Sequence, residues 1–126
     1  VAAIDHLILK ISDVAASLRF YVDVMGFVPA GSEGPFTVVR VSDDFILQLA
    51  PWGPAGEEHL AFALTRSEFD AVVARVRTHD IPHGASHDTV GSQTGPGRET
   101  GARGLAATLY LHDPDRHLIE IRTYDP

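Results

Sequence analysis

The amino-acid sequence predicts an α+β fold made of one domain, 1–126, with internal repeats at about 1–54 and 55–126. Three observations carry this. First, Ile4-Asp5-His6-Leu7-Ile8-Leu9-Lys10, running into an apolar-periodic segment from Val14 to Val24, is imperfectly copied later. The copy is Glu58-His59-Leu60-Ala61-Phe62-Ala63-Leu64, running into Phe69 to Val76. Second, Val41 to Leu49 mirrors Leu111 to Ile121, with two extra residues in the second turn. Third, strand-like and helix-like periodicities follow the order β-α-β-β in each half, with room for one more short strand. That order puts a helix on one face of a small, mostly antiparallel sheet and leaves the other face to be covered or to border a cavity.

Each element has its own reason. Residues 4–10 are rich in Ile and Leu and read as a strand. Asp13 is an N-cap for a helix over 14–25 whose apolar face is Val14, Leu18, Tyr21, Val22 and Met25, with Gly26 as the stop. Short strands follow at 36–41 and 45–50 around Ser42-Asp43-Asp44. Pro51 to Gly56 is a linker by composition. Strand 59–64 leads into a helix at 66–79, where Thr65 and Glu68 form a capping box and Phe69, Val72, Val73 and Val76 the buried stripe. Pro82 ends it. A weak strand is expected over 84–90. Gly91 to Gly104 holds five glycines and one proline and reads as a long loop, a candidate lid. Strands at 105–111 and 117–122 close the chain around Asp113-Pro114-Asp115.

Composition removes several function classes. At 44% hydrophobic and 21% charged residues, the chain is not disordered. It has no cysteine, hence no disulfide framework, thiol nucleophile or thiolate-held metal. A net charge of -7 without a basic cluster argues against nucleic acid. No apolar run is long enough for a membrane span, and a cytoplasmic location is expected.

The repeat overlay pairs His6 with His59 and Gln48 with Glu120. Two histidines and a carboxylate are strong donors for a divalent ion such as Fe, Mn, Ni, Co or Zn. Glu120 is boxed in as Leu118-Ile119-Glu120-Ile121, and a buried carboxylate must be matched by a cation, either a metal or Arg122 or Arg40. His59 shares a strand face with Ala61 and Ala63, small enough to leave a hollow. Gln48 is a weaker fourth ligand or a hydrogen-bonding partner for a metal-bound water. Tyr110, with Thr108, is expected on the face of Glu120, where its phenol can donate to a developing oxyanion or act as an acid. Arg40 is assigned the position matching Tyr110 in the first half, suited to a substrate carboxylate; Arg122 is a further substrate-binding candidate. His79, His83 and His87 are read as decoys, and His112 and His117 as solvated turn residues.

With these residues in view, the sequence resembles the vicinal oxygen chelate superfamily, which includes glyoxalase I, methylmalonyl-CoA epimerase, extradiol dioxygenases, and fosfomycin- and bleomycin-resistance proteins. The stretches carrying the resemblance are Ile4 to Asp13, Ser17 to Tyr21, Met25-Gly26-Phe27, His59 to Phe62, and Leu109 to Glu120. The resemblance implies paired βαβββ modules forming a half-barrel around one metal, usually in a dimer. It implies His6, His59 and Glu120 as ligands, and a substrate-facing role for Tyr110. Gln48 stands where the bacterial glyoxalase has a glutamate and the epimerase a glutamine. Arg116 replaces the glycine of the usual Asp-Pro-Asp-Gly turn.

The expected function is a metal-dependent lyase or epimerase acting on a small, vicinally oxygenated metabolite by enediolate or alkoxide chemistry. One alternative is a non-haem Fe(II) ring-cleaving dioxygenase. Another is a metal-free drug-binding resistance protein using Trp52 and the 91–104 loop. Exposed sheet edges predict a homodimer; the short Trp52-to-Gly56 linker permits a site within one chain or one shared between chains, and the shared form, with His6 from one molecule joining His59 and Glu120 of the other, is favoured.

Overall fold

A computed structural model describes residues 1–126. The chain is an α+β protein with two sheets, divided into two compact units, Val1–Gly56 and Glu57–Pro126.

The first unit runs β1 (His6–Lys10), α1 (Val14–Leu18), a π-helical continuation (Arg19–Val24), β2 (Val28–Glu33), β3 (Phe36–Ser42) and β4 (Phe45–Ala50). Its sheet has the order β1-β4-β3-β2, with β1 parallel to β4 and the other pairs antiparallel. Asp13 caps α1 as expected, its carboxylate accepting from the Ala16 amide at 3.0 Å. The helix then widens, and Met25 N bonds back to Phe20 O, five residues away. That widening rotates the buried set to Ser17, Phe20, Tyr21 and Met25, so Val14, Leu18 and Val22 are only half-buried. The chain leaves at Gly26, whose φ of 80° suits a residue without Cβ. Strand β2 is the further short strand that the β-α-β-β order leaves room for, but its residues do not mark its place, because Val28-Pro29-Ala30-Gly31 lacks strand propensity. It is an exposed edge strand whose register shifts between Pro29 and Ser32, the setting in which a sheet tolerates proline.

The second unit runs β5 (His59–Ala63), α2 (Arg66–Thr78), β6 (His83–Gly84), β7 (Gly97–Gly101), β8 (Gly104–His112) and β9 (Leu118–Thr123). Its order is β5-β9-β8, and β6 and β7 both pair with β8. The capping box forms: the Glu68 amide donates to Thr65 Oγ1 at 3.2 Å, and the Thr65 amide donates to Glu68 Oε1 at 2.9 Å. Phe69, Val72, Val73 and Val76 are buried, and α2 lies against β9, whose Ile119 and Ile121 are fully buried with Leu109 and Leu111.

Two expectations about the 84–104 region fail. The strand over 84–90 shrinks to the two residues of β6. The glycine-rich segment is not one long loop, since Gly97–Gly101 pairs antiparallel with β8 along Thr108 to Gly104 and forms a hairpin. Gly97 permits close approach, since a Cβ there would press on the Ala85 backbone at 2.9 Å, whereas Gly91 and Gly104 have open space and serve turns of positive φ. His117, expected in solvent, is 1% exposed. Its Nδ1 accepts from the Glu58 amide at 3.0 Å and its own amide donates to Asp113 Oδ1 at 2.9 Å, so it locks the turn to the start of β5. No helix is long and apolar enough to cross a membrane.

Candidate functional site

Strand register supports the overlay that pairs His6 with His59. In the first sheet Ile8 lies opposite Gln48, and in the second Ala61 lies opposite Glu120. Each histidine stands two residues before that partner, on the same strand face. The register also makes a correction. Tyr110 lies opposite Glu120, and its counterpart opposite Gln48 is Val38, not Arg40. Arg40 lies opposite Ile46, as His112 lies opposite Leu118.

In the first unit, alternation along β1 and β4 buries Leu9, Leu47 and Leu49 and leaves His6, Ile8 and Gln48 on the open face. His6 Nδ1 is 2.7 Å from Asp5 Oδ2, which leaves the lone pair of Nε2 as the one able to accept or to bind a metal. Gln48 is half-buried. Arg40 is exposed and turned to its own hairpin, donating to Asp43 O at 3.2 Å and Ser42 O at 3.5 Å.

The second unit is more elaborately built. Strand β5 shows His59, Ala61 and Ala63 to the outside and buries Phe62. Beside it, Glu120 is 5% exposed and Arg122 4% exposed. His59 Nε2 lies 3.1 Å from Glu120 Oε1, and Arg122 Nη1 donates to Glu120 Oε2 at 2.5 Å. Arg122 Nη2 donates to the carbonyls of Glu99 (3.0 Å) and Gly104 (3.1 Å). Burial weakens the hold of this guanidinium on its proton, but the bond to Glu120 and the proximity of Tyr124 more than offset it, so the pKa stays above the ordinary value. The cation is permanent.

Gly101 makes this arrangement possible. A Cβ there would run into the Arg122 guanidinium. Tyr110 is 6% exposed, its ring centroid 6.3 Å from that of His59. Burial first, then the charge of Glu120 and a hydrogen bond to it, push the phenol up to about 12, so it keeps its proton and donates. Thr108, opposite Arg122, is fully buried, and neither its Oγ1 nor Arg122 Nε has a hydrogen-bonding partner in the protein.

Above this polar layer lies a hollow of about 350 Å³. Its floor is His59, Ala61, Ala63, Glu120 and Arg122; one wall is Thr100 to Arg103 of the β7–β8 hairpin, and Tyr124 completes it. The small residues of β5 predict such a hollow. Thr108 and Tyr110 lie buried on the same sheet face without walling it. Arg103 and Tyr124 escape a reading of the sequence, since a lone arginine in a turn and a tyrosine near the end of the chain carry no spacing signal. The parity of Arg122 and Tyr124 with Glu120 along β9 is the available clue.

His, Cys, Asp and Glu side chains nowhere gather in a group of three or more that could hold a metal. The His59–Glu120 pair nonetheless fits one. Two donors about 2.1 Å from a metal and at right angles to each other stand about 3.0 Å apart, and this pair stands at 3.1 Å. Arg122 on the second carboxylate oxygen and Asp5 on His6 are the kind of outer partners that orient metal ligands.

Known proteins agree with this fold. The structure of the oxidase ChaP-H1 superposes with a TM-score of 0.80 at 32% identity, covering 98% of this chain and 96% of that one. Virulence protein STM3117 of Salmonella typhimurium is 28% identical over 96% of this chain and 83% of its own length; its crystal structure superposes with a TM-score of 0.75. TnmS3, an antibiotic-binding protein from Streptomyces sp. CB03234, shares the fold at 19% identity, with a TM-score of 0.73 over 98% of this chain and 96% of that one. Residues 3–121 match the family described as the Glyoxalase/Bleomycin resistance protein/Dioxygenase superfamily, and the chain belongs to it.

Proposed function

We propose that this chain is a divalent-metal-dependent enzyme in which His6, His59 and Glu120 hold one ion, and that it oxidises a small, vicinally oxygenated molecule with O₂. The observation that carries the reading is the His59–Glu120 pair, spaced as neighbouring ligands are and oriented from behind by Arg122. An ion bound there would supply a docking point for two substrate oxygens and, as Fe(II), a centre for O₂.

The chain's own groups favour oxidation over a lyase or epimerase reaction. Moving a proton from carbon needs a base. Glu120 is committed to Arg122 and His59, Gln48 is an amide, and the Tyr110 phenol is a donor held in its protonated form. Tyr110 then stabilises negative charge beside Glu120, and Gln48 orients a substrate or water by hydrogen bonding. The likeness to the oxidase ChaP-H1 points the same way.

Protein purified without chelator is expected to carry metal, and Glu120→Gln to lose it. Fe(II)-loaded protein given catechols should consume O₂. Unchanged metal content in Glu120→Gln would sink the site; hydrogen–deuterium exchange at a substrate carbon without O₂ uptake would restore the lyase or epimerase. We favour a shared site in a homodimer, since β2 leaves an exposed edge. Mixing inactive His6→Ala with inactive Glu120→Ala should then restore activity, and no rescue would assign the site to one chain. One observation favours a metal-free binding protein instead: Arg122 already neutralises Glu120. Ligand binding by protein that never takes up metal would establish that alternative.

A further inference from the structure

We propose that Arg103, set in place by Tyr124 at the rim of the second unit's hollow, is an anion-binding subsite that selects ligands carrying a carboxylate. The proposal rests on reading that hollow as the ligand site.

Charge balance is the first argument. Two guanidiniums and one carboxylate face the hollow. Arg122 and Glu120 satisfy each other in a buried pair, whereas Arg103 forms no ion pair with any carboxylate. The hollow therefore keeps one unmatched cation, although the chain as a whole carries -7. Arg103 is itself exposed, so its guanidinium is open to a ligand arriving at the rim of the hollow.

Placement is the second. The Arg103 guanidinium lies 4.1 Å from the centre of the Tyr124 ring, and the Arg103 amide donates to the Tyr124 hydroxyl at 3.1 Å. Arg122 lies 5.0 Å from the same ring. The Arg103 amide bond above all, with the two guanidiniums behind it, holds the Tyr124 pKa below its ordinary value against the opposing effect of burial. Stacking restricts the arginine in advance, so less freedom is lost when it closes on a carboxylate through its two parallel N–H donors. Ala61, Ala63, Gly101 and Ala102 leave room between this rim and the His59–Glu120 end. A ligand that puts oxygens at one end and a carboxylate at the other fits a hollow of about 350 Å³.

The test uses catechol and 3,4-dihydroxybenzoate, the same ring without and with a carboxylate across from the two oxygens, titrated calorimetrically into the full chain after chelator treatment. The acid should bind about tenfold tighter, the worth of a charge-assisted hydrogen bond. Arg103→Gln should bring the two within about twofold, and Arg103→Lys should keep part of the gap. Added salt should narrow the gap in the unaltered protein. Equal binding of the two ligands, binding of neither, or a gap that survives in Arg103→Gln would overturn the proposal. Because no metal is present, the result does not depend on His6, His59 and Glu120 holding one. A carboxylate preference in a chain that never binds metal would keep this subsite and remove the enzymatic reading.

Discussion

The two units start from one pattern and finish it differently. Each sets a histidine two residues before the partner of a polar residue, Gln48 in one and Glu120 in the other. In the first unit that residue is neutral, half-buried and opposite Val38. In the second it is ionic, buried and surrounded by Tyr110, Arg122 and His59. One charge accounts for the difference. A buried carboxylate requires a cation, the cation requires carbonyls and a glycine to admit it, and the β7–β8 hairpin supplies both. An amide requires none of this, and the hairpin in the corresponding place of the first unit, β2–β3, has an outer strand that is exposed throughout.

The largest effect that tests this comparison comes from removing the cation. Arg122→Met leaves Glu120 charged and buried, which should cost about 3–5 kcal/mol in denaturant unfolding. Adding Glu120→Gln should recover most of the loss. Gln48→Ala, the matching cut in the first unit, should cost less than about 1 kcal/mol. A comparable loss at both sites would mean that the Glu120–Arg122 pair is not what sets the units apart.

Much of this contrast is legible in the sequence. Strand parity places His59, Ala61 and Ala63 on one face and Glu120 on another strand of the same sheet, because a period of two survives any uncertainty about strand ends. The capping box at Thr65 and the stripe on α2 are legible because local hydrogen bonds and helical periodicity write themselves into spacing. What escapes depends on partners far along the chain. Strand β7 forms from Gly-Arg-Glu-Thr-Gly because β8 offers an edge, not because its residues favour strands. Arg40 falls on Tyr110 only when the overlay allows the second turn two extra residues; the register gives both hairpins the same span, ten positions from Val38 to Gln48 and from Tyr110 to Glu120, and moves the match to Val38.

Next in size is the glycine that admits the guanidinium. Gly101→Ala sets a methyl against an Arg122 head group held by a carboxylate and two carbonyls, so it cannot swing aside. A loss of about 1–3 kcal/mol is expected. Gly31 and Gly34 in the first unit have open space where a methyl would stand, and any cost there would come only from their positive φ. Tyr110 gives an effect of similar size that is confined to alkaline pH. Its native pKa is raised from 10.0 to about 12, so its contribution is complete below pH 10 and is lost as pH rises through 12. Unfolding free energy should fall by about 3 kcal/mol across that window. Tyr110→Phe should flatten the fall, and an unchanged slope would show that the ionisation of Tyr110 is not what the fall reports.

The smallest effect concerns the turns, which have the same length in the two units and fold differently. Between Arg40 and Ile46 the first unit passes through a register shift and a tight turn at Asp43-Asp44, and between His112 and Leu118 the second spends the same five residues on one wider turn. In that wider turn Asp113 Oδ1 accepts from the amides of Asp115 and His117, and the Arg116 amide donates to Asp113 O. This geometry places Arg116 at φ 66°, a left-handed conformation that side chains with Cβ resist. Its compensation is an exposed contact with Glu57 at 3.8 Å, too long and too solvated to offset much. Arg116→Gly should therefore stabilise the chain by about 1 kcal/mol, read as a higher midpoint in denaturant with an unchanged slope. Arg116→Ala serves as the control, because it removes the same ion pair and keeps the Cβ. If alanine matches glycine, the strain is not in the backbone, and the gain comes from relieving side-chain interactions in the turn.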